Sequence, residues 1–129
     1  MRTAAQASGD AAERLVAAQL EAIGWRVLAR QVRVGRAELD LVAIDPGPPP
    51  ALVIVEVRAR SRRDFGLPEE TVDHRKLRRI QGGVFRLLEA GELPDGRRLP
   101  RLPVRIDVVA LDLDGNGRAA TRHHRAIGG

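Results

Sequence analysis

The amino-acid sequence predicts one α/β domain in which helices flank a mixed central sheet, in the order α-β-β-β-α-β. Three observations lead to this class. Two segments, near residues 9–23 and 74–91, carry apolar residues at the three- and four-residue steps of a helix. Residues 51–57 are apolar at almost every position, which is typical of a central strand covered on both faces. A chain of 129 residues has the size of one domain. We expect a core over about residues 9–112 and a loosely held tail over residues 113–129.

The first predicted helix begins after a cap at Ser8 and ends at Gly24. A strand then starts at Trp25 and runs to about Val34. Gly35 and the arginine after it predict a hairpin turn into the next strand.

That second strand covers residues 39–44 and precedes the apolar third strand. Asp73 is a predicted cap for the second helix, which ends near Gly91. A fourth strand is predicted over residues 104–111, and a short fifth near Ala119.

The charge of the chain favours a polyanionic partner. The sequence has 22 basic and 17 acidic residues, a net charge of +5, and Lys76 is its single lysine. The three aromatic residues, Trp25, Phe65 and Phe85, are too few for a module that stacks unpaired bases on rings. A nucleic-acid-binding role would therefore depend on the phosphate backbone.

Several classes are excluded by what the sequence lacks. With no cysteine there is no disulfide scaffold, thiol nucleophile or cysteine-ligated zinc. No apolar run reaches the length of a membrane span, and the first residues lack the apolar stretch of a signal peptide. We therefore expect a cytoplasmic protein with no membrane partner.

Three acidic residues stand where apolar residues are expected. Asp40 and Glu56 interrupt strands, and Glu13 lies within the apolar stripe of the first helix. A buried carboxylate is costly unless it is paired or binds a metal ion, and Mg²⁺ is held by one or two carboxylates with waters and phosphate oxygens. The sequence thus predicts a metal site at Glu13, Asp40 and Glu56, with pairing to arginines as the alternative.

Strand alternation extends this site. Glu38 shares a face with Asp40, and Arg58 and Arg60 share one with Glu56. Glu38 and Asp107 are predicted to support the acids without binding the ion, and pairing with an arginine is the alternative for Asp107.

A basic cluster follows the third strand, and the second helix carries a basic face. Together they predict a nucleic-acid-binding surface, with an ordinary solvated face as the alternative. The residues assigned to this surface are Arg60, Arg62, Arg63, Lys76 and Arg79.

The spacing of these residues resembles a known signature. Glu38-Leu39-Asp40 followed by Glu56-Val57-Arg58 resembles the D…(D/E)-x-K motif of restriction-endonuclease-like nucleases. The ordered set extends to Glu13, Gly24-Trp25-Arg26-Val27-Leu28, Phe65-Gly66-Leu67-Pro68-Glu69-Glu70, Lys76 and Arg105-Ile106-Asp107-Val108-Val109. This set resembles the YraN-like family of small bacterial proteins, which is similar to archaeal Holliday-junction resolvases.

The resemblance implies a restriction-endonuclease-like core and a nuclease active on DNA, which would include branched DNA. Glu13, Asp40 and Glu56 would hold Mg²⁺ or Mn²⁺, and cleavage would leave a 5′-phosphate and a 3′-hydroxyl. DNA is favoured over RNA, and the resolvase likeness favours a homodimer.

The sequence departs from the family pattern at the motif lysine, which is Arg58 here. A guanidinium donates hydrogen bonds but cannot act as a general base, although it can clamp a phosphate. Ala12 and Ala37 stand where glycine is common in the family, and Gln31 stands where asparagine is common.

Two functions therefore stay open. One is a metal-dependent endonuclease in which the catalytic residues are Glu13, Asp40, Glu56 and Arg58. The other is a catalytically silent nucleic-acid-binding module. A protein-binding scaffold is a third reading.

Overall fold

The described part of the chain folds into a five-stranded mixed sheet with one helix on each face. The structure is a computed structural model that describes residues 4–61, 74–113 and 119–127. Its elements are α1 (Ala4–Ala22), β1 (Arg26–Val34), β2 (Ala37–Asp45), β3 (Ala51–Ser61), α2 (His74–Ala90), β4 (Val104–Leu113) and β5 (Ala119–His124). This architecture confirms the predicted class and order of elements.

The strands follow one another across the sheet in the order β1-β2-β3-β4-β5. Only β3 and β4 pair in parallel, and the other neighbours are antiparallel. The apolar β3 is central, as its sequence predicts.

Two apolar clusters fix the helices on the sheet. Val16 and Leu20 of α1 pack on Leu41 and Val55 on one face. On the other face, α2 packs its buried Ile80, Val84 and Leu87 on residues that include Val42 and Ile54. Because neither α1 nor α2 is long and apolar enough to cross a membrane, no described helix is a candidate membrane span.

The start of the first helix differs from the prediction. The helix α1 already begins at Ala4, so Ser8 lies inside it and is not its cap; the preceding alanines are strong helix formers. The short fifth strand predicted near Ala119 is confirmed as β5, which lies within the residues predicted as a loosely held tail and pairs with β4 over its whole length. Asp73 lies outside the described residues, as do Phe65, Arg62 and Arg63.

The alternation of β2 breaks at Asp40. Leu39 packs in the cluster under α2, whereas Leu41 packs in the cluster under α1, although residues two apart in a regular strand share a face. The partner strand changes at the same place: Val32 also packs under α2, whereas Arg30 binds Asp10 of α1. Both strands therefore change face at one level of the sheet.

The residue of β1 at this level is Gln31, because its neighbours Arg30 and Val32 pair with Leu41 and Leu39. Its backbone has a φ of 53°, in the left-handed region that non-glycine residues rarely adopt. Asparagine enters this region more readily than glutamine. That preference gives a physical reason for the asparagine expected at this position.

Two adjacent glycines of α2 give a first prediction. A Cβ added to Gly83 would lie 2.7 Å from the Cβ of Ala37, whereas one added to Gly82 would have no heavy atom within 4 Å. We expect Gly83→Ala to lower the free energy of unfolding by about 1–3 kcal/mol through overpacking. We expect Gly82→Ala to raise it by about 0.5–1 kcal/mol through helix propensity. Urea unfolding of both variants measures the difference, and equal effects would contradict the close approach of α2 to β2.

Candidate metal and phosphate site

The candidate site lies where β2 and β3 separate. Their register runs from Asp45 opposite Ala51 to Leu41 opposite Val55, so the next step places Asp40 beside Glu56. There the Val57 amide donates a 2.8 Å hydrogen bond to Oδ2 of Asp40. The carboxylate of Asp40 thus bridges to β3 at the end of the shared ladder.

Asp40, which is half-buried, and Glu56, which is buried, bring their carboxyl groups close together, so that each influences the ionisation of the other. Burial, followed by the charge of Glu56, raises the pKa of Asp40 to about 8, against the hydrogen bond from Val57 and with the charge of Glu13 adding to the rise. Two carboxyl groups this close repel each other when both are ionised, unless a cation lies beside them. The pair therefore has the chemistry of a site for a positive charge.

Two basic side chains supply positive charge to Glu56. The ammonium Nζ of Lys76, from the first turn of α2, lies 2.9 Å from Oε1 of Glu56. The guanidinium of Arg58, two residues along β3, lies 3.7 Å from the same oxygen. Glu56 and Arg58 therefore share a face, as strand alternation predicts, and pairing with basic residues is part of the site.

Glu13 stands near this pair but apart from it. It is buried, and its Oε1 has no hydrogen-bond partner among the described residues. Burial raises its pKa to about 7; the charge of Arg30 opposes the rise, while those of Glu38, Asp10 and Glu56 add to it. The three predicted acids thus lie within electrostatic reach of one another.

They do not, however, close into one coordination shell. Among residues 4–61, 74–113 and 119–127, no three acidic or histidine side chains form a group that could hold a metal ion. The reason lies in the two faces of the sheet: Glu56 continues the α2 side on which Ile54 packs, and Glu13 belongs to α1 on the other side. Asp40 lies between them, where β2 changes face.

The oxygen donors of the pair and of Glu13 would suit a divalent cation that keeps several of its waters. Mg²⁺ in proteins commonly takes one or two carboxylates and completes its shell with waters and phosphate oxygens. Asp40 and Glu56 would be the direct ligands, and the unpartnered Oε1 of Glu13 would suit a bound water. The donor set is all oxygen, which is what Mg²⁺ and Mn²⁺ prefer.

The remaining predicted residues are distributed as follows. Glu38 is exposed and forms an ion pair with Arg33 at 3.3 Å. Its charge is close enough to Glu13 to raise the pKa of that residue. Arg79 is exposed on α2, and Arg60 belongs to β3. Arg62 and Arg63 lie outside the described residues.

Asp107 lies in a separate ionic cluster, which we call the Asp107 cluster: Asp45, Arg105, Asp107 and His123. Its carboxylate accepts two hydrogen bonds from Arg105, at 2.8 and 3.0 Å, and one from the Ala126 amide. His123 Nε2 lies 2.8 Å from its Oδ2, and Arg105 also reaches Asp45 at 2.9 Å. The alternative reading of Asp107, pairing with an arginine, is therefore the one that the structure shows.

Asp107 is fully buried, yet it is ionised. Burial opposes ionisation, but the hydrogen bonds from His123, Arg105 and Ala126 outweigh it and lower the pKa of Asp107 to about 2. This role of His123 was not predicted, because the sequence pattern assigned the residue to a loose tail. The available signal was Arg105 and Asp107 two apart on one strand face.

Comparison with known proteins gives the family of the chain. The profile of the uncharacterised protein family UPF0102 matches residues 12–111. A UPF0102 protein of Beutenbergia cavernae is 41% identical over 97% of this chain and 98% of the relative. One from Arthrobacter sp. is 37% identical over 93% and 94%, and one from Symbiobacterium thermophilum is 39% identical over 88% and 89%. The chain therefore belongs to the UPF0102 family, the YraN-like family that its motifs resemble.

Proposed function

We propose that this protein is a metal-dependent endonuclease that hydrolyses phosphodiester bonds in DNA. The observation that carries the proposal is the contact between Asp40 and Glu56 at the end of the β2–β3 ladder, with Arg58 and Lys76 beside it. Paired carboxylates next to two cations can hold a divalent ion and a phosphate together. The resemblance to restriction-endonuclease-like nucleases supports the same reading.

Each residue has a defined part in this chemistry. Asp40 and Glu56 would hold Mg²⁺, which when bound polarises a phosphate and lowers the pKa of a water. Arg58 would clamp a phosphate oxygen and stabilise charge that develops on it. Its guanidinium keeps its proton, so Arg58 serves in binding and charge stabilisation and not as a general base.

The exposed basic face of α2 would hold the nucleic-acid backbone. Arg75, Arg78 and Arg79 are exposed on this helix, which begins beside the site with Lys76. Phosphate contacts of this kind are independent of base sequence, which suits DNA recognised by its shape. The homodimer that a two-fold branched DNA would favour stays a prediction.

The second candidate is a nucleic-acid-binding module without catalysis. The observation that favours it is Arg58 in place of the motif lysine. Arg58→Lys separates the two: it should raise cleavage if arginine merely replaced lysine, and change nothing if the protein only binds. In both cases DNA affinity should fall more than about tenfold from about 50 to about 200 mM salt, whereas a protein-binding scaffold would show little salt dependence.

Cleavage assays test the proposal directly. We expect purified protein to cut plasmid, branched or single-stranded DNA with Mg²⁺ or Mn²⁺ and to be silent with a chelator; an RNA of the same sequence tests the preference for DNA. Glu56→Gln should reduce the rate about a hundredfold or more, since even the partners of metal ligands carry 10- to 100-fold effects. Glu89→Gln, an exposed glutamate on α2, is the matched control. Absence of cleavage on every substrate, with no Mn²⁺ binding by calorimetry, would remove the proposal.

A further inference from the structure

The single lysine of the chain lies on a carboxylate of the candidate site. The sequence contains 22 basic residues, of which Lys76 alone is a lysine. The Nζ of Lys76 is 2.9 Å from Oε1 of Glu56. Glu56 is buried, whereas the side chain of Lys76 is about one third exposed. The side chain of Lys76 therefore contacts both the buried carboxylate of Glu56 and the solvent.

Lys76 and Arg58 approach the same oxygen differently. Arg58 comes from β3 itself, its Nε is buried without a hydrogen-bond partner among the described residues, and its guanidinium stays 3.7 Å away. Lys76 reaches in from α2 on a flexible four-carbon stem and presents a compact point charge with three donors. Of the two, the ammonium more closely resembles a small hydrated cation, and its side chain is partly exposed to solvent.

We propose that Lys76 is the exchangeable cation of this site. Its ammonium neutralises Glu56 when no divalent ion is bound, and it turns to a phosphate oxygen of the substrate when Glu56 binds an ion instead. The reason is that an ammonium 2.9 Å from Oε1 of Glu56 and a divalent ion on the same carboxylate would repel each other, so each weakens the binding of the other. This inference rests on the proposed function for its second half only, since the competition for Glu56 requires no DNA.

Lys76 thus supplies the amine that the motif position, occupied here by Arg58, does not provide. In D…(D/E)-x-K nucleases the cationic side chain beside the metal comes from the strand, where this chain has Arg58. Here an amine enters the same site from α2. Lys76 would be a catalytic residue through its contact with the phosphate.

Two substitutions test the exchange through Mn²⁺ affinity, measured by calorimetry on the full chain. Lys76→Met removes the competing charge and should tighten Mn²⁺ binding about tenfold. Lys76→Arg keeps a charge and should stay close to the wild type. Arg101→Met, an exposed arginine elsewhere on the surface, should leave the affinity unchanged. Circular dichroism of each variant establishes that it is folded.

The second readout is DNA cleavage by the same variants. We expect Lys76→Met to cut at least about tenfold more slowly than the wild type although it binds Mn²⁺ more tightly, a combination that a purely structural role would not produce. Unchanged or weaker Mn²⁺ binding by folded Lys76→Met would overturn the exchange. Wild-type cleavage by Lys76→Met would overturn the contact with phosphate. A wild type that binds Mn²⁺ but cuts nothing would refute the nuclease proposal, and the affinity comparison would still decide the exchange.

Discussion

Replacing Asp40 by asparagine is expected to stabilise the metal-free protein at alkaline pH and to abolish its stabilisation by Mn²⁺. In the wild type, burial and Glu56 raise the pKa of Asp40 to about 8, and burial raises that of Glu13 to about 7. Carboxyl groups whose pKa is raised on folding bind more protons in the native state. The free energy of unfolding therefore falls as the pH rises from about 4, the unfolded pKa, to about 8.

Asparagine removes one of the two charges but keeps an oxygen that can accept the hydrogen bond from the Val57 amide. We expect a gain on the order of 1–2 kcal/mol near pH 8.5, or a rise of roughly 5 °C or more in Tm, that shrinks below about pH 5. Thermal unfolding in a chelator at three pH values measures it.

The response to Mn²⁺ should change in the opposite direction. An ion at about a hundred times its Kd stabilises the native state by about 2.7 kcal/mol. The wild type should show such a gain, larger near pH 8 than near pH 6, and Asp40→Asn should show none. Asp95→Asn changes an exposed acid that pairs with Arg97 in a loop, and it should keep the full response. An Asp40→Asn variant that is less stable than the wild type at every pH would contradict the claim that the carboxyl groups of Asp40 and Glu56 repel each other.

Replacing Asp107 by asparagine is expected to destabilise the fold far more than breaking an exposed ion pair. It would leave Arg105 and His123 facing a neutral group at a fully buried position. Removing one partner of a buried ion pair costs about 3–5 kcal/mol when the remaining charge has no other partner, and the contact of Arg105 with Asp45 keeps the cost of Asp107→Asn at the lower end of this range. The exposed pair broken by Asp95→Asn should cost far less, because solvent screens its charges.

The Asp107 cluster also predicts the acid limit of the fold. Hydrogen bonds lower the pKa of Asp107 to about 2, below its unfolded value of about 3.9. Its contribution is therefore complete above about pH 4 and is lost as the pH falls through 2. Urea unfolding from about pH 7 to about pH 2 should show a steep loss in the wild type and a flatter curve in Asp107→Asn. Equal slopes, or a cost near that of Asp95→Asn, would show that the cluster carries little stability.

Much of the fold was predictable because local patterns and tertiary structure agree. The two helices end just before Gly24 and Gly91, whose positive φ angles of 96° and 72° favour glycine. The apolar run of β3 is central in the sheet. The start of α1 was less predictable, because a cap residue such as Ser8 competes with the helix propensity of the alanines before it.

The acids of the site were found by the cost of burying them, which is a local property. Their arrangement in space could not be predicted, because it depends on the break in strand alternation at Asp40 and Gln31. A hydrophobic pattern of regular period does not indicate where a strand changes the face on which its side chains lie. The same break separates Glu13 from Glu56. The position of Lys76 could not be read from spacing either, since it depends on how α2 packs over the end of β3.

Calorimetric titration of the metal-free wild type with Mn²⁺ near pH 7.5, beside Glu56→Gln, tests the central claim most directly. If Asp40 and Glu56 are a cation site, the wild type binds one ion per chain and Glu56→Gln binds at least about a hundredfold more weakly. Equal binding by the two proteins, or none by the wild type at millimolar Mn²⁺, would contradict it.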